Sequence, residues 1–288
     1  MAGPACIVES RDRLGEGPCW DPAVGRLYWF DIKGRRLRWH EPASGKDGHC
    51  DLGLQASAAA PRATGGLLVA TEAGLGVFDP KDGGLQIRQP LDGALSGFRS
   101  NDGRQDSTGA FWWSVMDGSG GKRAGAVYRT AGDWTTSRQV EGVRIANALC
   151  SSPDGRTLYL ADSAEKTLYA YDHDPASGAL SNRRVFARTE QGAPDGATVD
   201  ADGFVWNAQW GAWRVVRYAP DGRINRVVEF PVEQPSSCAF GGPGLRTLFV
   251  TSARDGLSDA SLERQPLAGG LFAFEPGVAG LQPPPFAG

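Results

Sequence analysis

Glu16-Gly17-Pro18-Cys19-Trp20-Asp21-Pro22-Ala23-Val24-Gly25-Arg26-Leu27-Tyr28-Trp29 decides how the rest of the chain reads. The stretch joins a polar residue, a short strand-like segment, an Asp-x-x-x-Gly turn and an aromatic run of strand type. The run has five counterparts: Leu67-Leu68-Val69, Phe111-Trp112-Trp113, Leu158-Tyr159-Leu160, Val205-Trp206 and Leu248-Phe249-Val250. They recur at roughly 40 to 47 residues, a period of propeller blades. About eleven residues ahead of each run stands a polar side chain: Glu16, Ser57, Asn101, Asn147, Asp195 and Ser237. Equal phase in a ring of repeats means convergence on the axis.

Each unit continues in the same grammar. Alternating segments such as Leu37-Arg38-Trp39 and Val215-Val216-Arg217-Tyr218 follow the aromatic runs, and turns such as Asp79-Pro80-Lys81-Asp82-Gly83 close them. A fourth strand follows in most units, for example Asn182 to Ala187. Short alternating strands with Gly, Pro and Asp turns predict an all-β, six-bladed propeller of four-stranded antiparallel blades spanning 1–288 as one domain. The last unit runs out of repeat after Pro276, so Cys6 to Glu9 is expected to supply its outer strand and remove a sheet edge. No helix of consequence is expected.

The chain has 288 residues and a net charge of −3, which gives no basis for nucleic-acid or anionic-membrane partners. The three histidines are scattered, which argues against a His-based zinc site. Five cysteines, odd in number and without CxxC spacing, read as free thiols in a reducing compartment; a cytoplasmic location is expected. No signal peptide or membrane-length apolar run is visible.

In an up-and-down blade the start of the innermost strand and the loop between the second and third strands share one face. The loops at Asp31 to Lys33, Met116 to Gly118, Asp162-Ser163, Gln209 to Ala212 and Ser252 to Asp255 therefore ring one mouth, with Trp210 and Arg254 expected in it. Glu16, Asp195, Asn147 and Asn101 offer only oxygen ligands there, a set suited to a hard or borderline divalent cation. In isolation Glu16 reads as a solvated turn residue and Asn147 or Asp195 as an Asx-turn former; the shared phase sets them apart. No GxSxG elbow or Walker loop competes.

Leu14-Gly15-Glu16-Gly17-Pro18, Arg99-Ser100-Asn101-Asp102-Gly103, Asn147 ahead of Ser152-Pro153-Asp154-Gly155, Pro194-Asp195-Gly196, Thr251 to Gly256 and Pro266 to Phe272 together resemble the SMP-30/gluconolactonase (regucalcin-like) family. The resemblance covers nearly the whole chain. It implies a metal-dependent lactonase that opens an aldonolactone such as xylono-, arabinono- or gluconolactone, with no obligate protein partner. It implies metal ligands at Glu16, Asn147 and Asp195, with Asp195 also the general base. Arg99 and Asn101 map to the substrate-contacting segment. The chain departs from the family at Asp117, expected to take over a glutamate's contact with sugar hydroxyls, and at Ala148 beside the ligand Asn147. Trp210 is expected to wall the pocket. The metal stays open among Ca2+, Zn2+, Mn2+ and Fe2+. A non-catalytic calcium- or protein-binding propeller and a phosphotriester or ester hydrolase are the competing readings.

Overall fold

A computed structural model of the chain describes residues 3–288. Among them the strands form six four-stranded antiparallel sheets. Five are consecutive meanders; the first holds Gly15–Asp21, Arg26–Asp31, Arg36–Glu41 and Lys46–Asp51. In the sixth, Pro235–Gly241, Thr247–Ser252 and Leu271–Phe274 are joined by Ala5–Val8, which pairs antiparallel with Leu271–Phe274 through Ala5↔Ala273 and Cys6↔Phe272. The first strand of the chain and the last thus share one blade. Among the described residues the one α-helix is the short Asp259–Arg264, capped by the Ser258 hydroxyl, in the loop before the last strand of blade 6. No helix is long and apolar enough to cross a membrane.

The aromatic runs do not alternate apolar with polar because both of their faces are covered. Phe111, Trp113 and Val115 pack against blade 2, while Trp112 between them packs against blade 4. The apolar core is accordingly divided into six clusters, one at each junction of neighbouring blades. Trp29, Trp112 and Trp206 are fully buried. Their indole N–H groups donate to the buried carboxylates of Asp12 (2.8 Å), Asp106 (2.9 Å) and Asp200 (2.8 Å). Arg38, Arg129 and Arg217, the cross-strand partners of those tryptophans, bind the same carboxylates. Buried Trp and Asp need such partners, since an unmet polar group in this environment costs about 1–3 kcal/mol. The three Trp–Asp–Arg ties fall in alternate blades.

After Phe274 the chain crosses the face opposite the mouth. Ala201 N–H donates to Ala279 O (2.9 Å), Gln105 Nε2 to Pro284 O (2.8 Å), and Ala63 N–H to Phe286 O (2.8 Å). Phe286, fully buried, wedges between blades 2 and 3.

All six innermost strands, Gly15–Asp21, Ala56–Pro61, Phe98–Gln105, Ala146–Ser151, Ala193–Val199 and Pro235–Gly241, lose register with their neighbours at one place. The breaks fall at Glu16/Cys19, Ala56/Ala58, Ser100/Gly103, Asn147/Cys150, Pro194/Ala197 and Pro235/Ser237. A bulge inserts a residue and re-aims its side chain. Here each bulge falls at the phase-marked residue. Gly17 makes the first of them possible: its φ is +56°, and a Cβ there would lie 2.0 Å from the Ser57 carbonyl oxygen of blade 2. Replacing Gly17 by Ala is therefore expected to cost roughly 3 kcal/mol or more. Urea melts measure it; a loss under about 1 kcal/mol would show that the bulge does not need glycine.

Candidate active site

The bulges deliver Glu16 from blade 1, Asn101 from blade 3, Asn147 from blade 4 and Asp195 from blade 5 to one cavity of about 530 Å3. Arg99 and Trp210 also line it. Glu16, Asn147 and Asp195 are 8%, 5% and 5% exposed, so they form a floor and not a rim. Ser57 and Ser237, from blades 2 and 6, stand outside the lining. Ser57 donates to Ser100 Oγ (2.7 Å), and the Ser237 hydroxyl, against which Gly196 packs, has no partner among the described residues.

Hydrogen bonds join three blades beneath the cavity. Arg99 Nη1 donates to Asn101 Oδ1 (2.8 Å) and to its neighbour's carbonyl at Ser100 (2.8 Å). Asn101 Nδ2 donates to Asn147 Oδ1 (2.8 Å) and Ala146 O (3.0 Å). Asn147 Nδ2 donates to Ser163 Oγ (2.8 Å), which donates to Pro194 O (2.6 Å), the residue before Asp195. Both amide protons of Asn101 are thus committed to holding Asn147. What Asn101 retains for a substrate is one carbonyl lone pair, and Arg99 retains Nε and Nη2 as donors. Ala148, next to the expected ligand Asn147, sits at φ +56°, a left-handed conformation that favours glycine.

Asp117 is not in the cavity. The neighbouring Met116, Gly118, Ser119 and Gly120 line it, but the Asp117 carboxylate turns into its own loop. It accepts from Ser119 Oγ (2.6 Å), Arg123 Nη2 (2.9 Å) and Arg123 N–H (3.2 Å), which hold it well below the usual carboxylate range. The expectation that Asp117 contacts sugar hydroxyls is corrected on this ground: its oxygens hold the loop together. Arg254, expected in the mouth, does not line the cavity. Lys33, Ser163 and Asp255 do, with Lys33 Nζ 2.6 Å from Asp255 Oδ2. Their loops were placed at the mouth by phase, yet nothing in the repeat distinguished these side chains from solvated neighbours.

The floor is an acidic cluster away from water. Burial, and then the nearby Asp102 carboxylate, push Glu16 up to about 8, against the opposing pull of the Gly17 N–H and the Arg99 guanidinium. Burial and the charges of Glu16 and Asp102 raise Asp195 well above its ordinary value. Asp102, two oxygens deep in backbone donors from Gly103 (2.8 Å) and Leu149 (3.0 Å), is raised by burial as well. Burial opposes the charge of Arg99, and Glu16 and Asp195 sustain it.

The same groups fit a divalent cation. Glu16 spends one oxygen on Gly17 N–H (3.1 Å); apart from the adjacent Gly196 N–H, no donor among the described residues serves the Asp195 carboxylate. Asn147 Oδ1 accepts one hydrogen bond and keeps a second lone pair. Among the described residues no three His, Cys, Asp or Glu side chains are placed to hold a metal ion together, so the amide oxygen of Asn147 is the third protein oxygen on offer. Two carboxylates and an amide, all oxygen, match a hard or borderline ion with water in its remaining positions.

Comparison with known proteins gives the family. The family description "SMP-30/Gluconolactonase/LRE-like region" matches residues 14–254. The chain is 40% identical to the L-arabinolactonase of Azospirillum brasilense over all of this chain (100%) and 97% of that protein. It is 36% identical to the 6-deoxy-6-sulfogluconolactonase of Pseudomonas putida, covering 98% of each. Its fold superposes on the crystal structure of a calcium-binding protein, regucalcin, from Agrobacterium tumefaciens with a TM-score of 0.94 at 35% identity, covering 99% and 97% of the two chains.

With divalent ions chelated, folded Glu16 and Asp195 retain protons that the unfolded chain gives up. Their contribution is complete below the ordinary carboxylate pKa and is lost as pH climbs toward about 8. Asp195→Asn removes part of that loss. The Tm gap between variant and wild type in chelator is expected to widen in the variant's favour by a few degrees from about pH 6 to pH 8.5. A gap constant across that range would mean that the axial acids are not held protonated.

Proposed function

We propose that this chain, which belongs to the SMP-30/gluconolactonase/LRE-like family, opens a sugar lactone to its aldonic acid on the floor of the axial cavity. Relatives along its whole length are named as lactonases, and it is a lactone-hydrolysing enzyme. One observation carries the reading of the site: two buried, donor-poor carboxylates, Glu16 and Asp195, face an amide oxygen that Asn101 and Ser163 hold in place. A scaffold for protein contacts has no use for such a costly cluster.

Glu16, Asn147 and Asp195 would hold one divalent cation, of which calcium, zinc, manganese and iron(II) are all compatible with the oxygen set. What a cation supplies when bound there is Lewis acidity toward a carbonyl and a lowered pKa for water. The protein's own contributions follow from the geometry. Arg99 Nε and Nη2 donate to substrate hydroxyls, the free lone pair of Asn101 accepts from one, and Trp210 walls the sugar. These contacts fix the lactone with its carbonyl carbon toward the floor. Asp195, in its ionised form, takes a proton from water as the water oxygen bonds to that carbon. The proton is then returned to the ring oxygen as the acyl C–O bond breaks, leaving an aldonic acid, which ionises to the aldonate by losing its carboxyl proton to solvent, and a free hydroxyl.

Asn101 is assigned two duties that its partners separate. Asn101→Ala removes the clamp on Asn147 as well as the sugar contact, so it is expected to weaken metal retention along with KM. Glu16→Gln and Asp195→Asn are expected to lower kcat/KM by about a hundredfold or more while the far-UV spectrum is kept. A pH-indicator assay on xylono-, arabinono- and gluconolactone measures this, with chelated protein refilled by one ion at a time. Full activity in chelator, or an unchanged Glu16→Gln variant, would remove the cation from the proposal. Turnover of a phosphotriester with none of any lactone would move the reaction to the other ester class.

A further inference from the structure

Arg104 lies on the innermost strand of blade 3, two residues beyond Asp102 and toward the face that the C-terminal tail crosses. Its Nη2 donates across the channel to the Cys238 carbonyl (3.0 Å). Its Nε is buried without an acceptor, and the guanidinium forms no ion pair among the described residues. It steadies the Asp102 carboxylate only through space. A guanidinium keeps its proton and presents five N–H donors in a planar fork, so a single neutral carbonyl leaves it far from satisfied.

The group opens on a cavity of about 260 Å3, separate from the active-site cavity. The hydroxyl-bearing Ser151 and Thr198 line the same cavity, and neither side chain has a protein hydrogen-bond partner among the described residues. The carboxylate on its wall, Asp106, is already engaged by Trp112 (2.9 Å), Arg129 (3.1 Å) and Thr108 Oγ1 (2.6 Å), so no free negative charge faces Arg104 there. Pro283 and Pro284 of the tail form its cover, latched by Gln105 Nε2 on Pro284 O (2.8 Å).

We propose that this tail-covered pocket binds a small oxyanion of phosphate size, on the Arg104 guanidinium with the Ser151 and Thr198 hydroxyls as further donors. Fork-shaped donation to an oxyanion is the contact that arginine makes best, and partial burial strengthens it. The pocket draws its walls from blades 3, 4 and 5 and its cover from the tail. A bound anion therefore ties the tail to the ring, and binding to the folded state alone raises stability by mass action.

Inorganic phosphate is the probe, titrated at constant ionic strength against chloride and followed by calorimetry and Tm. Wild type is expected to show saturable binding and a Tm rise of a few degrees at a hundredfold excess over Kd. Arg104→Met abolishes both, and Thr198→Val weakens binding about tenfold. Glu16→Gln, altered in the other cavity, keeps them. Absence of binding heat in wild type overturns the proposal, as does an equal Tm rise in Arg104→Met. Loss of binding in Glu16→Gln places the anion at the axial acids and overturns it too. If Arg104→Met does not fold, the double variant Ser151→Ala/Thr198→Val decides: unchanged affinity rejects the pocket.

Discussion

One extra residue in each innermost strand is the constraint on which this molecule depends. Regular alternation in a blade sends side chains toward the neighbouring blades, which is why the six apolar clusters sit at the junctions and the axis receives none of them. At the mouth end of each strand it is the bulge that offers a side chain to the centre; deeper, the regularly paired Arg104 reaches across as well. The bulges break that rule once per blade, at one height, and turn six positions inward. Four of the six line the cavity, and the other two are serines outside its lining.

Grouping acids at that height opposes folding: burial raises Glu16 and Asp195, and each has a single backbone N–H beside it. Arg99 is the cation that acts on both Glu16 and Asp195, and it spends Nη1 on neutral oxygens. The relay from Arg99 through Asn101, Asn147 and Ser163 to Pro194 instead fixes geometry across three blades. Rigid placement of donors before substrate arrives is what an active site needs, because no reorganisation is then required during reaction. The raised acids are the cost of that arrangement, a local instability retained for function.

Much of this was legible in the residues. The aromatic runs announce themselves by period, and the marked residues by phase, because a rotational repeat converts distance along the chain into position around a ring. Phase states where a Cα stands but not which groups its side chain binds. Asp117 has the right phase for a substrate contact, yet Ser119 and Arg123, two and six residues later, claim its oxygens. Asn101 reads as a substrate residue, but the amide of Asn147 takes one of its protons. The Trp–Asp–Arg ties carry no sequence signature for a related reason: Asp12 lies seventeen residues from Trp29, whereas Asp106 and Asp200 lie six from theirs, so no single spacing marks the group. The tail escaped because it belongs to no repeat.

The shared sixth blade has a bearing on how the molecule is made. Ala5 finds its partner at Ala273, so everything between them must leave the ribosome before the circle can shut. At ordinary translation speeds the opening segment waits on the order of 15 to 50 s for that partner. Throughout that interval blade 1 lacks the neighbour that will cover Leu27 and Trp29. The nascent protein therefore carries an uncovered apolar flank until the strand Leu271–Phe274 has been made.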